Sequence, residues 1–84
     1  MVKKILKFHS KNCGPCKTLG TKIEQLGIKN VESIDIEENA ELANKYDVSS
    51  VPTLVFIENG AVVDYEVGFS ASAVRKLSAF SHAA

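Results

Sequence analysis

An α/β domain, with a mixed four-stranded sheet flanked by three helices in the order β-α-β-α-β-β-α, is the fold class this sequence predicts. Three observations predict it. Apolar stretches of strand-like and helix-like period alternate along the first half of the chain, and an Asn-Gly pair separates two β-rich runs in the second half. The 84 residues, 45% of them hydrophobic, hold material for one core and not for two. The strand-helix-strand start implies a right-handed parallel unit, and the Asn-Gly pair implies an antiparallel hairpin. Residues 1–84 are therefore read as a single domain without internal repeats.

The first strand is expected from Lys3 to His9, with Leu6 and Phe8 on one face and Ile5, Lys7 and His9 on the other. A helix follows from Pro15, because Cys16, Leu19, Ile23 and Leu26 recur at helical spacing. Pro15 is tolerated in its first turn, where a missing N–H costs nothing, and Gly27 is the stop signal. Residues 31–36, rich in β-branched side chains between charged turns, read as the second strand. Asn39 is placed to cap a short helix through Leu42, Ala43 and Tyr46. After Val51-Pro52, the unbroken apolar run 53–57 marks a strand buried on both faces. Beyond Asn59-Gly60, Ala61, Val63, Tyr65 and Val67 alternate with more polar neighbours, as the hairpin partner should. Ser70 caps the last helix, whose inner stripe is Val74, Leu77 and Phe80, and residues 81–84 are expected to fray.

Charge excludes several function classes. Ten Lys and Arg balance ten Asp and Glu, so no basic field exists to hold nucleic acid. The apolar patch near the start is interrupted by Lys7 and is too short for a signal core or a membrane span. The expected compartment is therefore the reducing cytoplasm, where paired cysteines serve metal or redox chemistry more often than structural bridging.

The two cysteines, Cys13 and Cys16, enclose Gly14 and Pro15. Such spacing cannot staple distant parts of a fold, which leaves a metal clip, a redox couple or coincidence. A structural zinc needs about four ligands, and only His9 and His82 accompany the cysteines, so a metal site would take the form of an iron-sulfur cluster shared between two chains. The redox reading has a physical basis. A helix N-terminus offers unpaired N–H groups and the positive end of the macrodipole to Cys13, which lowers its pKa below the ordinary thiol value. Lys11 and Lys17 add a weak, screened positive potential. Cys16, one turn in and on the buried stripe, is expected to stay a protonated thiol until needed. Cys13 would then attack a substrate disulfide and Cys16 would resolve the mixed disulfide. Gly14 permits the tight turn, and Pro15 stiffens it.

The run "CGPCK" resembles the active site of the thioredoxin family, and "SSVPTLVFIENGAVVDYEVG" resembles that family's cis-proline strand and hairpin. The likeness covers nearly the whole chain. It implies that Cys13 is the attacking thiol, Cys16 the resolving thiol and Pro52 a cis-proline facing them. Val51 would pair with an extended substrate segment, with Asn12, Val67 and Gly68 lining the same groove. It further implies no bound cofactor, re-reduction by a thioredoxin reductase drawing on NADPH, disulfide-containing client proteins and a monomeric state. A glutathione-dependent, glutaredoxin-like protein is the nearest alternative, although Gly68 is not followed by that group's Gly-Gly-x-x-Asp; a binding or metal-handling module is another.

Departures from the family are specific. The sequence begins at the strand leading to the cysteines, so the family's usual first strand and helix are expected to be missing. Asn12 and His9 stand where tryptophans are usual, which implies a smaller and more polar substrate platform. Lys7 occupies the place of a buried aspartate that assists the resolving thiol, and Ser33 that of a nearby lysine. Lys7 and His9 join Lys11 and Lys17 as candidate modulators of the cysteines.

Overall fold

The computed structural model describes residues 2–82. Four strands and three helices follow one another as β1 (Lys3–His9), α1 (Gly14–Gln25), β2 (Val31–Asp35), α2 (Ala40–Lys45), β3 (Thr53–Glu58), β4 (Ala61–Val67) and α3 (Ala71–His82). The sheet order is β2-β1-β3-β4, with β1 parallel to β2 and antiparallel to β3, and β3 antiparallel to β4. This is the mixed sheet that the sequence pattern predicts. The parallel pair requires a crossover, which α1 supplies, whereas β3 and β4 need only a two-residue turn.

Alternation along β1 divides the interior in two. Ile5 joins Leu19 and Ile23 of α1, Leu54 and Phe56 of β3, and Ala73 and Leu77 of α3 in one cluster. Leu6 and Phe8 join Ile34, Ala43, Val55 and Ile57 in the other, beneath α2. Each large aliphatic or aromatic side chain fully buried in this way contributes about 1.5–3 kcal/mol of hydrophobic stabilisation. Residues 53–57 are buried on both faces, because β3 is central and helices cover both sides. The Phe80 ring meets Phe56 edge-on at 5.2 Å and holds the last turns of α3 against the sheet.

The helix ends follow the local chemistry with one difference. Gly27 lies at φ 69°, and Gly27 N–H donates to the Glu24 carbonyl at 3.0 Å, so the positive φ expected of a terminating glycine is used. Ser70 Oγ accepts the Ala73 N–H at 3.3 Å and caps α3. Asn39 occupies the N-cap of α2, but its side chain makes no cap bond and donates instead to the Asp35 carbonyl at 3.2 Å. The connection from β2 takes that amide for itself.

Three expectations are corrected. The inner stripe of α3 is Ala73, Leu77 and Phe80, with Val74 only half-buried and outside it, because the helix turns its small residue toward the sheet. The hairpin turn holds Asn59 and Gly60 at φ 52° and 85°, as the Asn-Gly pair requires, yet β4 does not alternate cleanly. A register shift at Phe56/Ile57 and an edge position leave Val62, Val63 and Val67 exposed together. Finally, α3 continues through Ser81 and His82, where fraying was expected; Ala83 and Ala84 lie outside the described residues.

Candidate functional site

Strand register gathers the site at one end of the sheet. The C-terminal end of β1 delivers the chain through Ser10, Lys11 and Asn12 to the first turn of α1. Because β3 runs antiparallel, its first residue Thr53 lies beside Phe8, and Val67 at the end of β4 pairs with Thr53. The Val51-Pro52 bond is cis, and Pro52 is buried with its carbonyl accepting the Gly68 N–H at 2.8 Å. Gly68 sits at φ 86°, a conformation that favours glycine. Val51, Pro52, Val67 and Gly68 thus form one continuous wall at the end of the sheet that carries the cysteines.

Cys13 and Cys16 form a disulfide with Cα atoms 5.2 Å apart. Cys13 is the N-cap of α1, in extended conformation at φ −107° and ψ 103°, and its Sγ accepts the Cys16 N–H at 3.1 Å. A sulfur therefore takes the place of the hydroxyl or carboxylate that ordinarily caps a helix, and receives one of its unpaired N–H groups. Gly14 and Pro15 are exposed in the first turn. In this disulfide form both cysteines are covered, Cys13 7% and Cys16 3% exposed, so their difference lies in hydrogen bonding and helix position more than in area.

Beside Cys16 a solvent-open cleft of about 350 Å³ runs between β1 and α1. Lys7, His9, Lys11 and Lys17 all line it with Cys16, so the candidate modulators are brought together. Asn12 is exposed and lies outside that lining. Two further residues escaped sequence reasoning. Gly20, on the cleft wall one turn beyond Cys16, carried a usable signal, since an isolated glycine inside a helical pattern costs stability and asks for a reason. Phe69, 39% exposed next to Gly68, shares a shallow depression with Thr18 and Lys22 of α1; nothing in its local sequence distinguishes it. Among the described residues no three His, Cys, Asp or Glu side chains gather as a metal-holding group. Likewise, among these residues, no helix is long and apolar enough to cross a membrane.

Comparison with known proteins gives this geometry its class. The sequence model of the Thioredoxin family matches residues 2–80. The chain belongs to the thioredoxin family. It is 42% identical over 69 residues to the mitochondrial thioredoxin of Mus musculus, in an alignment covering 76% of this chain and 42% of that protein. To the thioredoxin of Bacillus subtilis it is 45% identical over 67 residues, covering 74% and 64% of the two chains. It thus spans less than two thirds of the length of these relatives. Among solved structures, a mutant thioredoxin from Halobacterium salinarum superposes with a TM-score of 0.82 at 30% identity, covering 98% of this chain and 77% of that one. Thioredoxin from Fasciola hepatica gives 0.80 at 34% identity, with 94% and 80% covered.

Proposed function

We propose that this chain is a dithiol-disulfide oxidoreductase that reduces protein disulfides through the Cys13/Cys16 couple. The observation that carries the proposal is the disulfide seated at the N-terminus of α1, with Cys13 Sγ already receiving the Cys16 N–H. On reduction the same N–H and the helix dipole favour the Cys13 thiolate. That thiolate attacks one sulfur of a client disulfide and expels the other as a thiolate. Cys16 then attacks Cys13, re-forms the ring and releases the second client sulfur, so two electrons pass from the protein to the client. The wall of Val51, Pro52, Val67 and Gly68 offers backbone groups and apolar surface to an extended client segment, with Asn12 at its margin. No bound cofactor is needed. NADPH acts through a thioredoxin reductase, and the setting is a reducing one such as the cytoplasm, with the protein working as a monomer.

The test is reduction of insulin by the purified protein, recycled in parallel by NADPH with a cognate thioredoxin reductase and by NADPH with glutathione and its reductase. The expected result is turnover in the first arm and its loss in Cys13→Ser. In Cys16→Ser, mixed disulfides that dissolve in dithiothreitol should accumulate. Turnover only in the glutathione arm would transfer the chain to the glutaredoxin-like reading, and no reduction in either arm would refute the oxidoreductase assignment.

A further inference from the structure

Gly20 stands in the middle of α1 at no positive φ, so neither a turn nor a left-handed conformation explains it. Glycine there costs about 1 kcal/mol against alanine. What occupies the space is Lys7: a Cβ built on Gly20 would lie 3.1 Å from Lys7 Nζ, closer than such contacts normally come. Gly20 follows Cys16 by four residues, so it lies on the same helix face about 6 Å further along the axis. Lys7 and Cys16 line the same cleft. We propose that Lys7 is the charge partner of the Cys16 sulfur and that Gly20 is the notch admitting its ammonium; the inference rests on the Cys13/Cys16 exchange proposed above.

The surroundings suit that role. Among the described residues Lys7 has no ion pair, and Glu24, a further turn along α1, is the one carboxylate lining the cleft; His9, Lys11 and Lys17 complete its charged wall. In the resolving step Cys16 must lose its proton before its sulfur attacks Cys13. An ammonium has no lone pair, so its role in this step is electrostatic. It stabilises the anion left behind, while the proton leaves through the open cleft to water and ends on the departing client thiolate. The S–S bond between Cys13 and the client breaks as the Cys13–Cys16 bond forms, and the client leaves as a thiol. A cation within a few ångströms of a thiol favours its thiolate.

The test uses the Cys13→Ser background, where Cys16 is the sole thiol and titrates alone. Ultraviolet thiolate absorbance against pH is the readout, and it does not depend on turnover. Lys7→Met keeps most of the apolar stem and should lower the thiolate fraction at a fixed pH by about tenfold, while Lys7→Arg should retain it. Gly20→Leu, which fills the notch, should act in the same direction as Lys7→Met, and Gly20→Ala more weakly although alanine favours the helix. An unchanged titration in a folded Lys7→Met variant would overturn the proposal. Should that variant not fold, an unchanged titration in Gly20→Leu would do the same. Insulin reduction by the unmutated chain is scored separately, so loss of this inference leaves the oxidoreductase reading standing, and the reverse failure is equally visible.

Discussion

The two faces of the sheet are buried to different depths. On the face under α1 and α3, six of the seven buried residues are wholly excluded from solvent. Under α2 alone, a helix of six residues, only two of six are. The same strands supply both faces, since β1 and β3 send alternate side chains to each. Helix cover makes the difference, and Cys13 and Cys16 ride on the better-covered side, at the start of α1. On the thinner side Tyr46, Val51 and Tyr65 pack around the cluster as partly buried neighbours. The Cys13–Cys16 disulfide is thereby mounted on the more deeply buried layer.

Truncation on each face tests this contrast most strongly. Leu77→Ala, at a wholly buried site, is expected to cost about 4 kcal/mol, and Ile57→Ala, 9% exposed beside the register shift, about 2 kcal/mol. Urea midpoints of the two variants would show it; equal losses would mean that helix cover does not set the depth of the core. A smaller effect is expected at the rim of the thinner face, where Tyr65 Oη donates to the Asp47 carbonyl at 3.0 Å. Because water can replace that bond, Tyr65→Phe should cost less than about 1 kcal/mol. A larger loss in thermal denaturation would show that polar pins substitute for missing helix.

The smallest effect belongs to the charged contact tying α3 to β4, where Lys76 Nζ lies 3.1 Å from Asp64 and 2.8 Å from Glu66. Desolvation pushes the Asp64 carboxyl upward, but the Tyr65 N–H and Lys76 outweigh it and hold the group below its ordinary value. Its contribution is therefore complete above the usual carboxylate range and is lost as pH falls through the lowered value. Lys76 is raised, first by its bond to Glu66 and then by Asp64, so its contribution is complete below the ordinary lysine value and is lost as pH rises through the raised one. Lys76→Met should lower the melting temperature slightly between these limits and flatten its dependence at both ends. The difference should shrink in about 1 M salt, because these groups are solvent-screened. A salt-independent loss would instead point to packing by the lysine stem.

Much of the fold was legible because its signals are local. Helical spacing, β-branched and unbroken apolar runs and the Asn-Gly turn located the elements, Gly27 and Gly60 took the positive φ that their positions require, and Ser70 capped α3 with its own hydroxyl. The C-x-x-C run was equally legible, since two residues of separation and a following helical pattern suffice to put Cys13 at an N-cap. Errors appeared where a strand's environment outranked its pattern. In β4 the residues read as alternating, but an edge position and a register shift decided which of them met water. The near-equal cover of the two cysteines was equally invisible, because burial depends on what packs against them and not on their spacing.

By itself the sequence determined the order of elements, the turn chemistry and the pairing of two thiols at a helix start, all governed by backbone geometry over one to four residues. Tertiary structure alone decided which side chains share the cleft. Lys7 and Gly20 are thirteen positions apart on different elements, and only the packing of α1 across β1 brings an ammonium into the gap left by a missing Cβ. Such a meeting has no local period, because it depends on the distance and angle between two packed elements.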